Sequence, residues 1–138
     1  MLDISKIYIY EKEYIIEELY NLINNIQVYN EIDSIKQSII VESILIKIPN
    51  DIVWFKDNEN KLNIIKNKNI LLSIFNFINN NFKLKGLQYL IEFNNFKFND
   101  LKRNYQRRIL EHRIKSYIVR CFADNNDIVD DIIKRIYI

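Results

Sequence analysis

A chain of 138 residues that is 49% apolar is long enough to bury one core, and 28% charged residues is ordinary for a globular surface. A net charge of +2 and a pI near 8.5 argue against a protein whose whole surface binds polyanions. A single cysteine, Cys121, excludes an internal disulfide and points to a reducing, intracellular compartment such as cytoplasm, nucleus or organelle matrix.

The predicted architecture is mainly α: a compact bundle of five to six helices in a single domain over 1–138, with a short N-terminal strand and a β-hairpin around Pro49 as its β elements. Lys6 to Tyr10 alternate as a short strand does. Ile15, Ile16, Leu19, Leu22, Ile23 and Ile26 recur at three- and four-residue spacing, which predicts a helix over roughly 11–26. A second helix is expected over about 31–41, with Ile32, Ile35 and Ile39 on one side, and its continuation through the ambiguous Ile44, Leu45, Ile46 and Ile48 is left open. The β-branched Ile44, Ile46 and Ile48 ahead of Pro49-Asn50-Asp51 favour a hairpin into Ile52-Val53-Trp54-Phe55. Lys56 to Asn69 is polar and reads as a loop or a short exposed helix.

Ile70, Ile74, Phe77 and Ile78 mark a helix at about 69–81, and Leu84, Leu87, Leu90 and Ile91 another at about 84–93. Asn99 or Asp100 is placed to cap a long basic helix running to about 122. Asp124 or Asn125 ends it, and Ile128, Ile132 and Ile136 carry the last helix. The longest largely apolar run, Ile70 to Ile78, is far short of the ~20 residues a membrane helix needs. The charged N-terminus carries no secretory signal. No membrane partner is expected.

Composition is skewed: 29 Ile and 20 Asn stand against one Ala, one Gly and no Thr. The favoured residues have A- and T-rich codons, so the skew is most simply that of an AT-rich genome. Against it, five of the six arginines fall between Arg103 and Arg120, while the rest of the positive charge is almost entirely lysine. Guanidinium presents a planar fork of donors that matches phosphate or carboxylate. Lys102 to Arg120 holds seven bases and one acid, Glu111, a local balance of +6 in a chain whose remainder is at −4.

On a continuous helix, Leu110, Ile114, Tyr117, Ile118 and Cys121 share one face. Arg108, His112, Arg113, Lys115, Ser116 and Arg120 spread over the other. Arg103 and Arg107 project on the apolar side, where each needs an acid or a ligand. The expected binding residues are therefore Lys102, Arg103, Arg107, Arg108, Arg113, Lys115 and Arg120, with stacking from Tyr105 and Tyr117 where exposed. The competing reading has Asp124, Asp127, Asp130 and Asp131 fold back and neutralise the same face.

No Cys/His spacing suits zinc, and one glycine cannot build a phosphate loop or a dinucleotide fingerprint, so neither metal nor cofactor is expected. Arg107, four intervening residues and His112 resemble the Arg-x4-His motif of HEPN-type ribonucleases, which are small helical domains. That resemblance implies His112 in acid–base cleavage and Arg107 on the scissile phosphate. It departs in having Arg108 where a polar residue is usual. The helices at 69–81, 84–93 and 100–122 also have the order and length of a helix-turn-helix core, whose third member reads a groove. The expectation is a non-enzymatic protein docking its basic helix on RNA or a ribonucleoprotein such as the ribosome. The alternatives are an acidic protein surface as partner, a helical interaction bundle of the Bcl-2-like adaptor kind, and the ribonuclease.

Overall fold

Isoleucines four residues apart suit a strand as well as a helix, and over residues 113–121 the chain takes the strand. A computed structural model describes residues 7–23, 33–58, 61–121 and 126–137, apart from the side chains at 58, 121 and 126–128. The elements are β1 (Ile7–Ile15), α1 (Ile16–Leu22), α2 (Ser34–Leu45), β2 (Val53–Asn58), β3 (Lys61–Lys66), α3 (Lys68–Ile78), α4 (Arg103–Leu110), β4 (Arg113–Cys121) and α5 (Asn126–Ile136). Five helices and a four-stranded mixed sheet among the described residues make an α/β fold. The expected mainly α bundle is overturned.

Two compact units divide the chain. The first holds Met1–Tyr14, Asp51–Lys68 and Ile114–Ile138, and the second holds Ile15–Asn50 and Asn69–Arg113.

The first unit contains the sheet, in the order β1-β4-β2-β3. β2 runs parallel to β4 and antiparallel to β3, with Phe55 opposite Ile118 on one side and Ile64 on the other. The two central strands bury Val53, Phe55, Ile114, Ile118 and Val119. Alternation sets this pattern. In β4, Ile114, Ser116 and Ile118 face one way and are all buried, while Arg113 and Lys115 face the other and are exposed. Ser116 is tolerated inside because its hydroxyl donates to the Lys12 carbonyl at 2.6 Å. Trp54 and Tyr117, opposite each other across β2 and β4, bring their rings to 4.8 Å. The carboxyl end of α5 is held by Lys66, whose Nζ donates to the Ile136 carbonyl at 2.9 Å.

The hairpin exists, but it joins β2 to β3 instead of folding at Pro49. Ile44 and Leu45 finish α2, and Lys47 at φ 66° ends it. Pro49-Asn50 then leads out of the second unit. The polar stretch 56–69 supplies most of the hairpin.

The second unit is helical, with an irregular segment at 79–102. Asp33 caps α2 by accepting from the Ile35 amide at 3.0 Å. α3 falls within the helix expected near 69–81, but it is buried all round, over residues 71–77; of the expected face Ile74 and Phe77 are buried, while Ile70 and Ile78 are half-buried. The helix expected at 84–93 does not form. Gly86 at φ +68° and Asn95 at φ 71° stand in the left-handed region. Lys85 N–H donates to Ser38 Oγ and Leu87 N–H to Asn94 Oδ1, and Glu42 takes the amides of Gln88, Tyr89 and Leu90, which a helix over 84–93 would bond internally. Of the expected face, Leu84 and Leu87 are buried all the same, Leu90 is half-buried and Ile91 is 63% exposed, so the spacing carried burial only in part. Ile26, the residues at 31–32 and Asp124 lie outside the described residues. No helix among the described residues is long and apolar enough to cross a membrane.

Candidate nucleic-acid interface

At 100° per residue, Arg103, Arg107, Asn104 and Arg108 of α4 occupy an arc of about 140°, with Tyr105, Gln106 and Ile109 opposite. The inward side is fixed. Ile109 is buried, the Tyr105 ring meets Phe93 edge-on at 4.9 Å, and Gln106 Nε2 donates to the Phe98 and Leu101 carbonyls, each at 3.0 Å. The outer arc is therefore set by the inner one.

The arginines on it differ. Arg107 donates through Nε and Nη2 to Glu111 and through Nη1 to Glu17 at 2.8 Å. These hydrogen bonds, Glu111 first and Glu17 second, hold its guanidinium above the ordinary arginine pKa. Its charge is met by two carboxylates, so it contributes little to an external anion. Arg108 donates from Nη1 to the Leu45 carbonyl at 3.0 Å, at the carboxyl end of α2, where the helix dipole favours a cation. Arg108 as a residue is exposed. Arg103 and Lys102 are exposed at the amino end of α4, which no side chain caps. Cations there are disfavoured by the dipole and relieved by an anion.

The single basic stripe expected over 102–120 is not present. α4 stops at Leu110. Lys102, Arg103, Arg107, Arg108 and Arg113 belong to the second unit, while Lys115 and Arg120 belong to the first. On β4, Lys115 and Arg120 are five residues apart and so face opposite ways. Arg120 has its Nε 3.9 Å from Asp57 Oδ2. Ser116, placed on the outer side by a helical wheel, is fully buried. Arg108, Arg113, Lys115 and Arg120 are exposed, and Arg107 is the arginine that sits half-buried beside acids, as the sequence required of Arg103 or Arg107. Of the acids expected to fold back, Asp131 pairs with Arg135 of its own helix at 2.8 Å, and Asp130 is exposed. Asp124 and the Asp127 side chain lie outside the described residues.

His112 follows α4. Its carbonyl accepts from the Ile16 amide at 2.9 Å, and its Nε2 lies 2.8 Å from Asn50 Oδ1. That oxygen can only accept, so Nε2 carries the proton and donates. Burial holds the imidazole below its ordinary pKa of 6.5. The folded state thus binds fewer protons than the unfolded state in the window just below pH 6.5. Stability is full above that value and falls as the pH drops through it toward the depressed folded pKa. Urea unfolding at pH 7.5 and pH 5.5 should show this loss, and His112→Gln, which keeps a donor for Asn50, should remove it. An unchanged pH dependence in the variant would contradict the assignment.

The Arg-x4-His spacing thus spans a helix end, and its two side chains are engaged separately, by acids and by Asn50. The helical fold that the ribonuclease resemblance implied is not adopted. The helix-turn-helix pattern also lapses, since its second member is irregular and its third is an eight-residue helix followed by a strand. Among the described residues, no three His, Cys, Asp or Glu side chains are placed to hold a metal ion.

Two further residues were not visible as candidates in the sequence. Glu42 is buried, 5% exposed, and its carboxylate accepts from the amides of Gln88, Tyr89 and Leu90 at 3.3, 3.0 and 3.0 Å. Tyr89, whose backbone is held there, leaves its side chain 69% exposed. The available signal was one acid inside the apolar run Ile39 to Ile48, a placement that requires buried donors.

No family model, curated protein or solved structure matches the chain.

Proposed function

We propose that this chain is a non-enzymatic binding protein whose second unit seats the outer arc of α4 on phosphates of RNA or a ribonucleoprotein such as the ribosome. The observation that carries the reading is the division of labour on α4. Arg107 is neutralised by Glu17 and Glu111 and locks the helix in place, while Lys102, Arg103 and Arg108 point outward around Asn104. Arginine in a lysine-rich chain favours a ligand with planar, bidentate oxygens. An irregular segment where a helix-turn-helix protein has its second helix favours RNA over the major groove of DNA.

A salt titration of RNA binding tests it. Each neutralised phosphate on a single strand contributes a slope of ~0.7 in log affinity against log salt, so three cations give a slope of about −2. Arg103→Gln combined with Arg108→Gln should flatten the slope by about 1.4. Lys115→Gln combined with Arg120→Gln, on the other unit, should leave it unchanged. A chain that binds no RNA at about 50 mM salt, where such contacts are strongest, but captures an acidic protein surface would overturn the reading.

A further inference from the structure

The segment 85–90 is held by side chains to an unusual degree. Lys85 donates its amide to Ser38 Oγ at 2.9 Å, Leu87 to Asn94 Oδ1 at 3.0 Å, and Gln88, Tyr89 and Leu90 to the buried Glu42 carboxylate. Five amides within six residues are thereby fixed without a regular helix or strand. What this backbone presents is a ring: Tyr89 is more exposed than Tyr8, Leu22, Ile91 or Tyr137. An aromatic side chain on a rigid backbone loses little freedom on binding, so it is organised in advance for a flat ligand.

The same helix also holds a cation. Arg108 is fixed on the Leu45 carbonyl, and Tyr89 is fixed on Glu42. Residues 42 and 45 both belong to the last turn of α2, about 4.5 Å apart along the axis. The Arg108 guanidinium and the backbone amide of Tyr89 are therefore both held at the last turn of α2. Lys85, exposed, adds positive charge in the ring's own segment. A single strand of nucleic acid offers a matching alternation, a phosphate and an unstacked base in every nucleotide. A duplex does not, because its bases are already stacked on each other and it presents phosphates and ribose hydroxyls.

We infer that Tyr89 is a base-stacking platform working beside Arg108, and that the second unit selects single-stranded over duplex RNA. This rests on the phosphate reading of α4 and narrows it to one form of RNA. Arg108 supplies the phosphate contact, Tyr89 the contact with the base, and Glu42 positions the ring without touching the ligand.

The experiment is a titration of the full chain at about 50 mM salt with two fluorescent probes: a twelve-nucleotide single-stranded RNA of mixed sequence, and the same RNA annealed to its complement. The expected result is tighter binding of the single strand. Tyr89→Ala should weaken the single strand by about 5- to 100-fold, leave the duplex nearly unchanged and leave the salt slope unaltered. Tyr89→Phe should restore binding, since the π-face is what the base uses. Tyr89→Trp should show emission quenched by the single strand, measured against the wild-type chain with its lone Trp54. Equal affinity for both probes, or a Tyr89→Ala variant that binds the single strand like the wild type, overturns the inference while leaving the phosphate reading intact. Binding of neither probe overturns both. Because Tyr89 is largely exposed, its variants should keep the wild-type melting temperature, and the restoring Phe variant excludes a fold defect as the cause.

Discussion

Ser116→Lys is expected to unfold the sheet-bearing unit. Ser116 is 0% exposed on the central strand β4, and its hydroxyl donates to the Lys12 carbonyl on β1. Lysine there would put a charge and four methylenes into a filled interior, strand the carbonyl of Lys12, and do so between two buried isoleucines, Ile114 and Ile118. Buried unpaired charge and overpacking together cost at least about 3 kcal/mol, a large share of the 5–15 kcal/mol that holds a domain together. Trp54 reports the result directly, since its ring packs on Tyr117 of the same strand. Its emission should shift to that of a solvated indole, with far-UV circular dichroism losing strand signal. The neighbouring change Lys115→Ser, at an exposed position, should move the melting temperature hardly at all. If residues 113–121 were helical, Lys115 and Ser116 would both lie on the outer face and neither change would matter, so a wild-type-like Ser116→Lys would refute the strand.

Glu42→Ala should produce the second large loss, in the other unit. Removing the carboxylate leaves the amides of Gln88, Tyr89 and Leu90 without their acceptor in a partly buried setting. Hydrogen bonds to a charged group are among the stronger ones, and an unmet amide carries its full desolvation penalty. A loss of about 2–4 kcal/mol follows. Glu42→Gln keeps one oxygen and should fall between. Hydrogen exchange supplies the local readout: protection at residues 88–90 should vanish in Glu42→Ala even where the rest of the unit stays folded. Retained protection there would show that the carboxylate does not hold the segment.

Much of the fold was readable where one period dominated. Ile70, Ile74, Phe77 and Ile78 fit only a helix, and α3 has them. Lys6 to Tyr10 alternate, and β1 begins at Ile7. The misreadings came from residues compatible with two periods. Ile114 and Ile118 are four apart, which suits a helical face and equally the same side of a strand. The β-branched Ile114, Ile118 and Val119 with the aromatic Tyr117 favour the strand, and the alternation of Arg113, Ile114, Lys115 and Ser116 does too. A polar serine among the buried residues hid that alternation. At 84–93, leucine spacing promised a helix, but helix formation needs free amides, and Glu42, forty-odd residues earlier, takes three of them. No local pattern can report a partner that far away. The arginines were located correctly as a cluster and misplaced as a stripe, because the stripe required one unbroken helix from 102 to 120.

The strand order has a consequence for how the protein is made. β4 lies between β1 and β2 in the sheet, yet it follows them by many residues in the chain. The second unit is complete once Arg113 has been synthesised, whereas the first still lacks its central strand. During synthesis β1 and the β2–β3 hairpin must wait, with their inner edges unpaired, for the last part of the chain to emerge. A chain ended at residue 113 would keep every segment of the helical unit and leave two strand edges bare, a species inclined to pair with other strands and aggregate. The chain crosses between the units four times, so no single cut separates them. Even a circular permutation leaves the segments of the two units alternating, so independent pieces would require rejoining the segments of each unit.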